Sequence, residues 1–539
     1  MSRRVVVVGA GPAGMHAALA AAGAGVDVLL VDAAPAVGGQ FHRQPLTANE
    51  GSPSAVGAGQ RFAEPAALRP RAAQRASESS GATTLRKLRA RLDGQPRITY
   101  LPQTSVWAVE PGLRLHLQTG PADAPGQRMS TVDADALVIA TGAYDRVLPF
   151  PGWELPGVFT AGGAQALAKG QRIAVGRRVL VAGTGPFLLP VAESLLGVGA
   201  DVVGVLEANR PGSALRGFAS RPGSWLAAAT KTPELLRYVA ALARRRVPYR
   251  TGTAVVAAHG TDALEAVTIA RVDAGWRELP GTRRWIAVDA LCVGHGFTPQ
   301  LELALAAGCQ LTAPAGSPDA SSGSKPSSGG GYVAVDRWQA TSMAGVFAAG
   351  EVTGIGGAVL AADEGTLAGL GAARHLGVPG LERQAAAARR RVRRGRGFAA
   401  ALTAAYPIGD GWRTWLTDDT VICRCEEVPY AALAAAAGHA ESVRSLKLLC
   451  RVGLGMCQGR ICGTNASELA DALLTAAGHA PLSDATAMIR RPLATPIRLG
   501  DLAAAPMIMG PTTQSRLHEG LHDLGENASQ PPTAEEGTI

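Results

Sequence analysis

A glycine turn set between two short apolar runs constrains this chain more than any other feature. Val5–Val8 is a continuous β-branched stretch, the kind buried on both faces of a parallel sheet. Gly9-Ala10-Gly11-Pro12-Ala13-Gly14 follows at once, then an alanine-rich helical stretch over Met15–Ala24 and a second strand over Val26–Val31. The first glycine permits the tight turn, the second lets the backbone approach a pyrophosphate, and the third allows close helix–strand contact. The helix N-terminus adds free N–H donors and a positive dipole end. Asp32 ends the second strand, 23 residues after Gly9, where its carboxylate can accept from an adenosine ribose. A motif that is weak alone gains a strand before, a helix after and an acid at the proper distance. Gly9, Gly11, Pro12, Ala13, Gly14 and Asp32 are therefore the first set of cofactor-binding residues.

Further along, Ala140-Thr141-Gly142 follows a buried-looking strand over Ala136–Ala140. Val346–Glu351 leads through Gly354–Gly357 into an apolar helix. An acid at a strand end, before a glycine turn and a helix N-terminus, suits a ribityl hydroxyl and the pyrimidine edge of a flavin. FAD is thus favoured over NAD at the first site, with Thr141, Gly142, Gly350, Glu351 and Gly357 added to its lining. A second strand–turn–helix unit begins at Arg178–Val181 and carries Gly183-Thr184-Gly185-Pro186-Phe187-Leu188, with Glu207 lying 24 residues after Gly183. Leucine stands where the third glycine would. Gly183, Gly185 and Glu207 fit an adenine nucleotide; the carboxylate favours a free 2′-hydroxyl, and Arg210 nearby could reverse that preference. A vestigial site remains the alternative.

Length and composition narrow the rest. A chain of 539 residues exceeds one compact core, and 47% hydrophobic with 18% charged residues is a globular balance. The net charge of +9 does not point to nucleic acid: only five lysines occur, the arginines scatter apart from Arg389–Arg396, and stacking aromatics are few. No uninterrupted apolar run is long enough to span a membrane, and no secretory signal precedes Val5–Val8. Seven cysteines, an odd number, argue against a disulfide scaffold, so a cytoplasmic location is expected. Residues 49–82 and 314–331 are low-complexity insertions, and the tail from about 510 is polar; all three are expected to be disordered.

Four of the seven cysteines crowd into forty residues: Cys423-Arg424-Cys425, a spacer of 31, then Cys457-Gln458-Gly459-Arg460-Ile461-Cys462. Four soft thiolates in short pairs suit an iron–sulfur cluster or zinc. Zinc knuckles generally place two or more residues between paired cysteines, which disfavours that metal here. Arg424, Lys447, Arg451 and Arg460 are placed in sequence to offset an anionic cluster, and glycines 453, 455, 459 and 463 free backbone N–H groups for the sulfurs. Cys450 falls outside the pairs and reads as a structural thiol; Cys292 and Cys309 read as buried core residues.

At this point the residues resemble a family. Gly9–Gly14, Gly38-Gly39-Gln40, Ala140–Gly142, Gly183–Leu188, Gly294-His295-Gly296-Phe297 and Ala349–Glu351 together resemble the α/β flavoprotein fold of glutathione-reductase type. That fold has two Rossmann-like domains, the second inserted in the first. With Cys423–Cys462 added, the chain resembles the large flavin subunits of opine oxidase, hydrogen cyanide synthase and heteromeric hydroxyproline or proline dehydrogenases. The C-terminal module resembles the small helical [2Fe–2S] domain of bacterioferritin-associated ferredoxin. The resemblance implies an FAD domain over 1–155 and 285–380, with Gly39 and Gln40 in its site, and a nucleotide-binding domain over 156–284. A basic helical connector over 381–417, the cysteine module over 418–478 and an extension over 479–539 follow.

It implies an electron-relay role. A partner subunit with its own FAD oxidises the CH–NH or CH–NH2 carbon of a small amine or amino acid, and this subunit carries electrons through FAD and a [2Fe–2S] cluster. The same resemblance implies a small ferredoxin-like subunit in some assemblies, and NAD(P) or ATP at the second nucleotide site. The disulfide-reductase branch is disfavoured, because residues 38–44 contain no cysteine pair. No general base stands out; His42, Tyr144 and His295 are candidates to line the flavin. Two other functions stay open: a self-sufficient NAD(P)H-dependent flavin and iron–sulfur reductase, and a non-catalytic metal-binding docking subunit.

Overall fold

A computed structural model describes residues 3–43, 80–221, 223, 225–313, 331–482 and 485–504. Most of the two expected insertions and the tail beyond 504 lie outside the described residues. The backbone is already helical at Ser80, in a helix over Ser80–Asp93, so the first insertion ends earlier than 82.

The opening valines form the centre of a five-stranded parallel sheet. Its order is Val346–Ala348, Ala136–Ile139, Arg4–Val8, Asp27–Val31, Ile98–Leu101. Val5, Val6 and Val7 are fully buried, as strands covered on both faces should be. The first helix runs over Pro12–Gly23 and so starts three residues before the sequence pattern suggests. Proline's fixed φ suits the first helical position, which draws Ala13 and Gly14 into the opening turn. This helix packs on Ala358–His375 at very short range. A Cβ on Gly365 would lie 1.9 Å from Ala13 O, and one on Gly369 2.2 Å from Ala17 O. An antiparallel meander of Thr104–Glu110, Arg114–Thr119 and Arg128–Asp133 lies beside this unit.

A second parallel sheet has the order Tyr249–Thr251, Asp201–Glu207, Arg178–Gly183, Ala290–Gly294, Val158–Thr160. Residues 285–294, assigned by resemblance to the first domain, therefore belong here: Arg284–Ala287 pairs with Ala266–Arg271, and Ala290–Gly294 is a central strand. Its apolar Ala-Leu-Cys-Val run, fully buried, is what selects an interior position. The chain crosses between the units twice, and the two crossings pair with each other as Ala143–Asp145 against Phe297–Pro299.

The basic helix Glu382–Ala405 is more than a connector. Ala385, Ala388 and Val392 pack into the first unit's core, while at its other end Ser213 Oγ of the second unit donates to Ala405 O at 2.8 Å. The cysteine module comprises a small hairpin, Val421–Cys423 with Val428–Pro429, and helices Tyr430–Ala437, Val443–Cys450 and Gly463–Ala476. Its apolar residues are continuous with the second unit's core, through Trp276, Trp412 and Trp415 to Ile422, Leu433 and Leu446. Trp276 and Trp415 stack with interplanar angle 1°. Among the described residues no helix is long and apolar enough to cross a membrane.

Candidate functional site

A cavity of about 2850 Å³ runs along the ends of both parallel sheets. Its walls include Gly9, Gly11, Pro12, Ala13, Asp32, Gly39, Gln40, Thr141, Gly142, Gly350, Glu351 and Gly357; Gly14 lies just behind. The glycines are required by close approaches. Gly9 has φ +104°, and a Cβ there would stand 2.3 Å from Ala140 O. A Cβ on Gly39 would lie 2.9 Å from Gly11 Cα, so the Gly38–Gln40 turn folds directly over the Gly9–Gly14 turn. Asp32 accepts from Ala10 N and, at 2.7 Å, from Ala34 N. Burial raises its pKa, and those two N–H groups oppose the rise.

At the far end of the first site Glu351 accepts from Gly356 N at 3.0 Å and Gly357 N at 2.9 Å. Burial, aided by the nearby Glu364, pushes its carboxyl up to about 7 against those two donors. Glu364 is itself 1% exposed; it accepts from Gly350 N and Thr353 Oγ1 and pairs with Arg396 at 2.8 Å. Glu364 and Arg396 were not singled out from sequence. A helical glutamate and one arginine of a basic run carry no local signal that they meet beneath this turn.

The raised Glu351 value carries a pH dependence with a definite sign. The folded, flavin-free protein keeps this proton where the unfolded chain, at 4.5, has released it. The group therefore favours folding below 4.5, and that contribution fades as pH rises through about 7. Its size is on the order of 1–3 kcal/mol. Thermal melts of flavin-free protein are expected to show a smaller loss of stability over that window in Glu351→Gln than in the parent chain; equal slopes would refute the assignment.

The second glycine turn is built differently. A Cβ on Gly183 would lie 1.8 Å from Gly294 O, and Thr184, Gly185, Pro186 and Phe187 reach the cavity wall. The helix starts only at Leu188, which is buried at 1% exposure. Glu207 is also buried, at 2%, and accepts from Thr184 Oγ1, Gly185 N and Asn209 N at 2.7–2.9 Å. Asn209 Nδ2 in turn donates to Pro407 O at 3.0 Å, so the chain after the basic helix closes over this end. Arg210 donates to Val272 O. Glu207 itself does not reach the cavity wall, whereas Glu234 of the helix Trp225–Arg244 does.

The four paired cysteines converge from the hairpin and the loop before Gly463. The thiols of Cys423 and Cys457 are both perturbed by Cys462, and Cys425 by Cys457, so the four sulfurs share one neighbourhood. The Cys462 thiol holds Cys423 down to about 6, assisted by backbone N–H groups of Gly453, Glu426 and Cys425. Cys462 likewise lowers Cys457, with help from Ile461 and Gly459 N–H, and is itself raised by both neighbours. These N–H groups come from loops with left-handed backbone at Glu427, Arg451, Gln458 and Gly459. Among the described residues no three His, Cys, Asp or Glu side chains surround a point suited to a single metal ion. Four soft thiols from two loops, with amides directed at Cys423 and Cys457, are a donor set that suits an anionic sulfur-ligated group.

The charges around the sulfurs differ from the expectation. Arg424 sits over Trp153 and donates to Glu154 O, while Arg451 pairs with Glu426. Arg460 pairs with the buried Glu302 at 2.8 Å and donates to Tyr144 Oη at 3.1 Å. Burial and Arg491 push Lys447 down to about 8, and Cys462 opposes. Tyr144, Glu302 and His295 line the cavity, and His42 packs edge-on against Phe41 there. Burial holds the Glu302 carboxyl up, with Arg460 opposing. His295 Nδ1 accepts from Leu148 N at 3.2 Å, and burial with Arg146 pushes it to about 3, so it is a neutral structural acceptor.

The family described as pyridine nucleotide-disulphide oxidoreductase matches residues 3–365. An opine oxidase subunit of Rhizobium meliloti is 29% identical over 93% of this chain and 87% of its own. Hydrogen cyanide synthase subunit HcnB of Pseudomonas protegens is 31% identical over 86% of this chain and 90% of its own. Among solved structures, L-proline dehydrogenase from P. horikoshii superposes with a TM-score of 0.59 at 17% identity, covering 93% of this chain and 80% of that one.

Proposed function

The chain belongs to the pyridine nucleotide-disulphide oxidoreductase family, and from that premise we propose that it is the electron-relay subunit of a heteromeric amine or amino-acid dehydrogenase or oxidase. The family implies FAD, and the relatives are named as subunits of larger enzymes. In this proposal FAD occupies the cavity at Gly9–Gly14, and a [2Fe–2S] cluster is held by Cys423, Cys425, Cys457 and Cys462. A second subunit, with its own FAD, acts on the CH–NH or CH–NH2 carbon. A cytoplasmic setting and a small ferredoxin-like subunit belong to the same proposal. Bound FAD and cluster supply the electron-transfer chemistry; the chain's residues hold, orient and charge-balance them.

The observation that carries the proposal is the docking of the sulfur loop on the cavity wall. Arg460, between Cys457 and Cys462, donates to Cys457 O and reaches Glu302 and Tyr144, both cavity residues. Asn465 donates to Val147 O, and Arg146 pairs with Glu468 at 2.7 Å, so the module is fixed against the crossing between the two units.

Anaerobic purification with cofactor extraction and electron paramagnetic resonance tests this directly. FAD, iron and a reduced-cluster resonance are expected, with little flavin bleaching by NADH and amine oxidation only when the second subunit is co-expressed. Colourless protein, or rapid bleaching by NADH alone, overturns the proposal.

A further inference from the structure

The segment after the cysteine module, residues 485–504, approaches the sulfurs from outside that module. It lies on glycines of the ligand loop. A Cβ on Gly459 would stand 2.9 Å from Met488 O, and one on Gly463 3.3 Å from Met488 Cβ. Three residues on, Arg491 Nη2 donates to Gly453 O at 3.0 Å and to Gln458 O at 2.6 Å. Gln458 directly follows Cys457, and Gly453 lies four residues before Cys457. One guanidinium nitrogen therefore braces two turns of the loop that presents Cys457 and Cys462. A Cβ on Gly459, two residues after Cys457, would stand 3.3 Å from the same Nη2, while the nearby acid Glu302 is already paired with Arg460. Beyond it the segment runs onto the cavity wall, where Ala494 N donates to Trp107 O and Ala494 O accepts from Arg460.

The geometry assigns to Arg491, a residue outside the four-cysteine module, the role of positioning residue for the sulfur-ligated centre. One nitrogen of its guanidinium bridges two turns of the loop that carries Cys457 and Cys462, and its charge favours the reduced, more anionic state of the group that loop helps to hold. This rests on the proposed function in taking that group to be an iron–sulfur cluster. Adding one electron raises the negative charge among the thiolates, and a fixed cation beside the ligand loop lowers the energy of that state. A lysine keeps the charge but loses the second guanidinium nitrogen, which is anchored on Arg490 O at 3.0 Å while the first bridges the two carbonyls.

The test uses the full chain, purified anaerobically and reconstituted with ferrous iron and sulfide, as parent, Arg491→Lys and Arg491→Met. Two quantities are read: the cluster's reduction equilibrium in a mediator titration, where each cluster accepts one electron from the mediator, and the rate of iron loss to a chelator. Arg491→Met is expected to shift the equilibrium roughly tenfold towards the oxidised form and to release iron faster. Arg491→Lys is expected to keep the parent equilibrium yet also release iron faster. FAD content reports whether each variant has folded.

An unchanged equilibrium in Arg491→Met overturns the assignment, as does an equal shift in Arg491→Lys. Should Arg491→Met fail to fold, iron release at the parent rate in Arg491→Lys overturns it. A parent chain without any reduced-cluster resonance removes both this assignment and the reading beneath it, which separates the two failures.

Discussion

Replacing Gly14 with alanine is expected to leave a chain that retains no flavin through purification and loses more than about 3 kcal/mol of stability. The added Cβ would stand 1.6 Å from Gly9 O, 2.8 Å from Gly9 C and 3.4 Å from a Val7 methyl. The first two are backbone atoms, so no side chain can swing aside. The helix cannot slide away either, because Gly365 sets the facing helix against Ala13 from the other side. Nor can the turn open freely: Gly9 is held against Ala140 and donates to Val31 O at 2.7 Å. Relief must come from separating strand, turn and helix, the three parts that frame this end of the cavity. Gly23, at the end of the same helix with nothing within 4 Å of its Cβ position, is the internal control. Alanine there is expected to be neutral or to stabilise by up to about 1 kcal/mol. Flavin content and thermal midpoints of the two variants check this; equal behaviour would show that the close approach does not matter.

How far the sequence can be read follows from where each signal lies. The first dinucleotide unit was legible because its constraints are local: a β-branched run, glycines where backbones nearly touch, a proline that opens the helix and an acid at the next strand end. The Cys-x-Cys and Cys-x4-Cys pairs were legible for the same reason. The strand Ala290–Gly294 was not placed correctly, since a short apolar run looks alike in either sheet and only the partner strands Arg178–Gly183 and Val158–Thr160 decide.

Long-range pairs left still less trace. Arg460 reads in sequence as a cluster counter-charge, yet its guanidinium is turned to Glu302, 158 positions earlier. Glu207 reads as a ribose acceptor from its spacing. Whether it is free depends on Thr184, Asn209 and the backbone at Pro407, two hundred residues on. Arg491 lay in a stretch with no motif at all. Its role comes from carbonyls at Gly453 and Gln458, which no side-chain pattern advertises.

Cys462→Ser is expected to remove iron to near background while FAD stays bound. Cys462 is 2% exposed and is the thiol that perturbs both Cys423 and Cys457, so it joins the two sulfur pairs. Serine is close to cysteine in volume, and its hydroxyl in that buried place costs about 1–3 kcal/mol, which a core shared with the second unit can absorb. The fold and the flavin cavity, built from other elements, should therefore survive. The ligand chemistry does not. A hydroxyl is a hard donor that stays protonated where a thiol ionises, so the fourth soft ligand is lost and the remaining three sulfurs hold iron poorly. Cys450 supplies the contrast, since it lies on the preceding helix with its thiol donating to Leu446 O at 3.2 Å and takes no place in the sulfur pairs. Cys450→Ser should keep both iron and the reduced-cluster resonance. Were Cys462→Ser to keep them too, the four-sulfur centre would have to be abandoned.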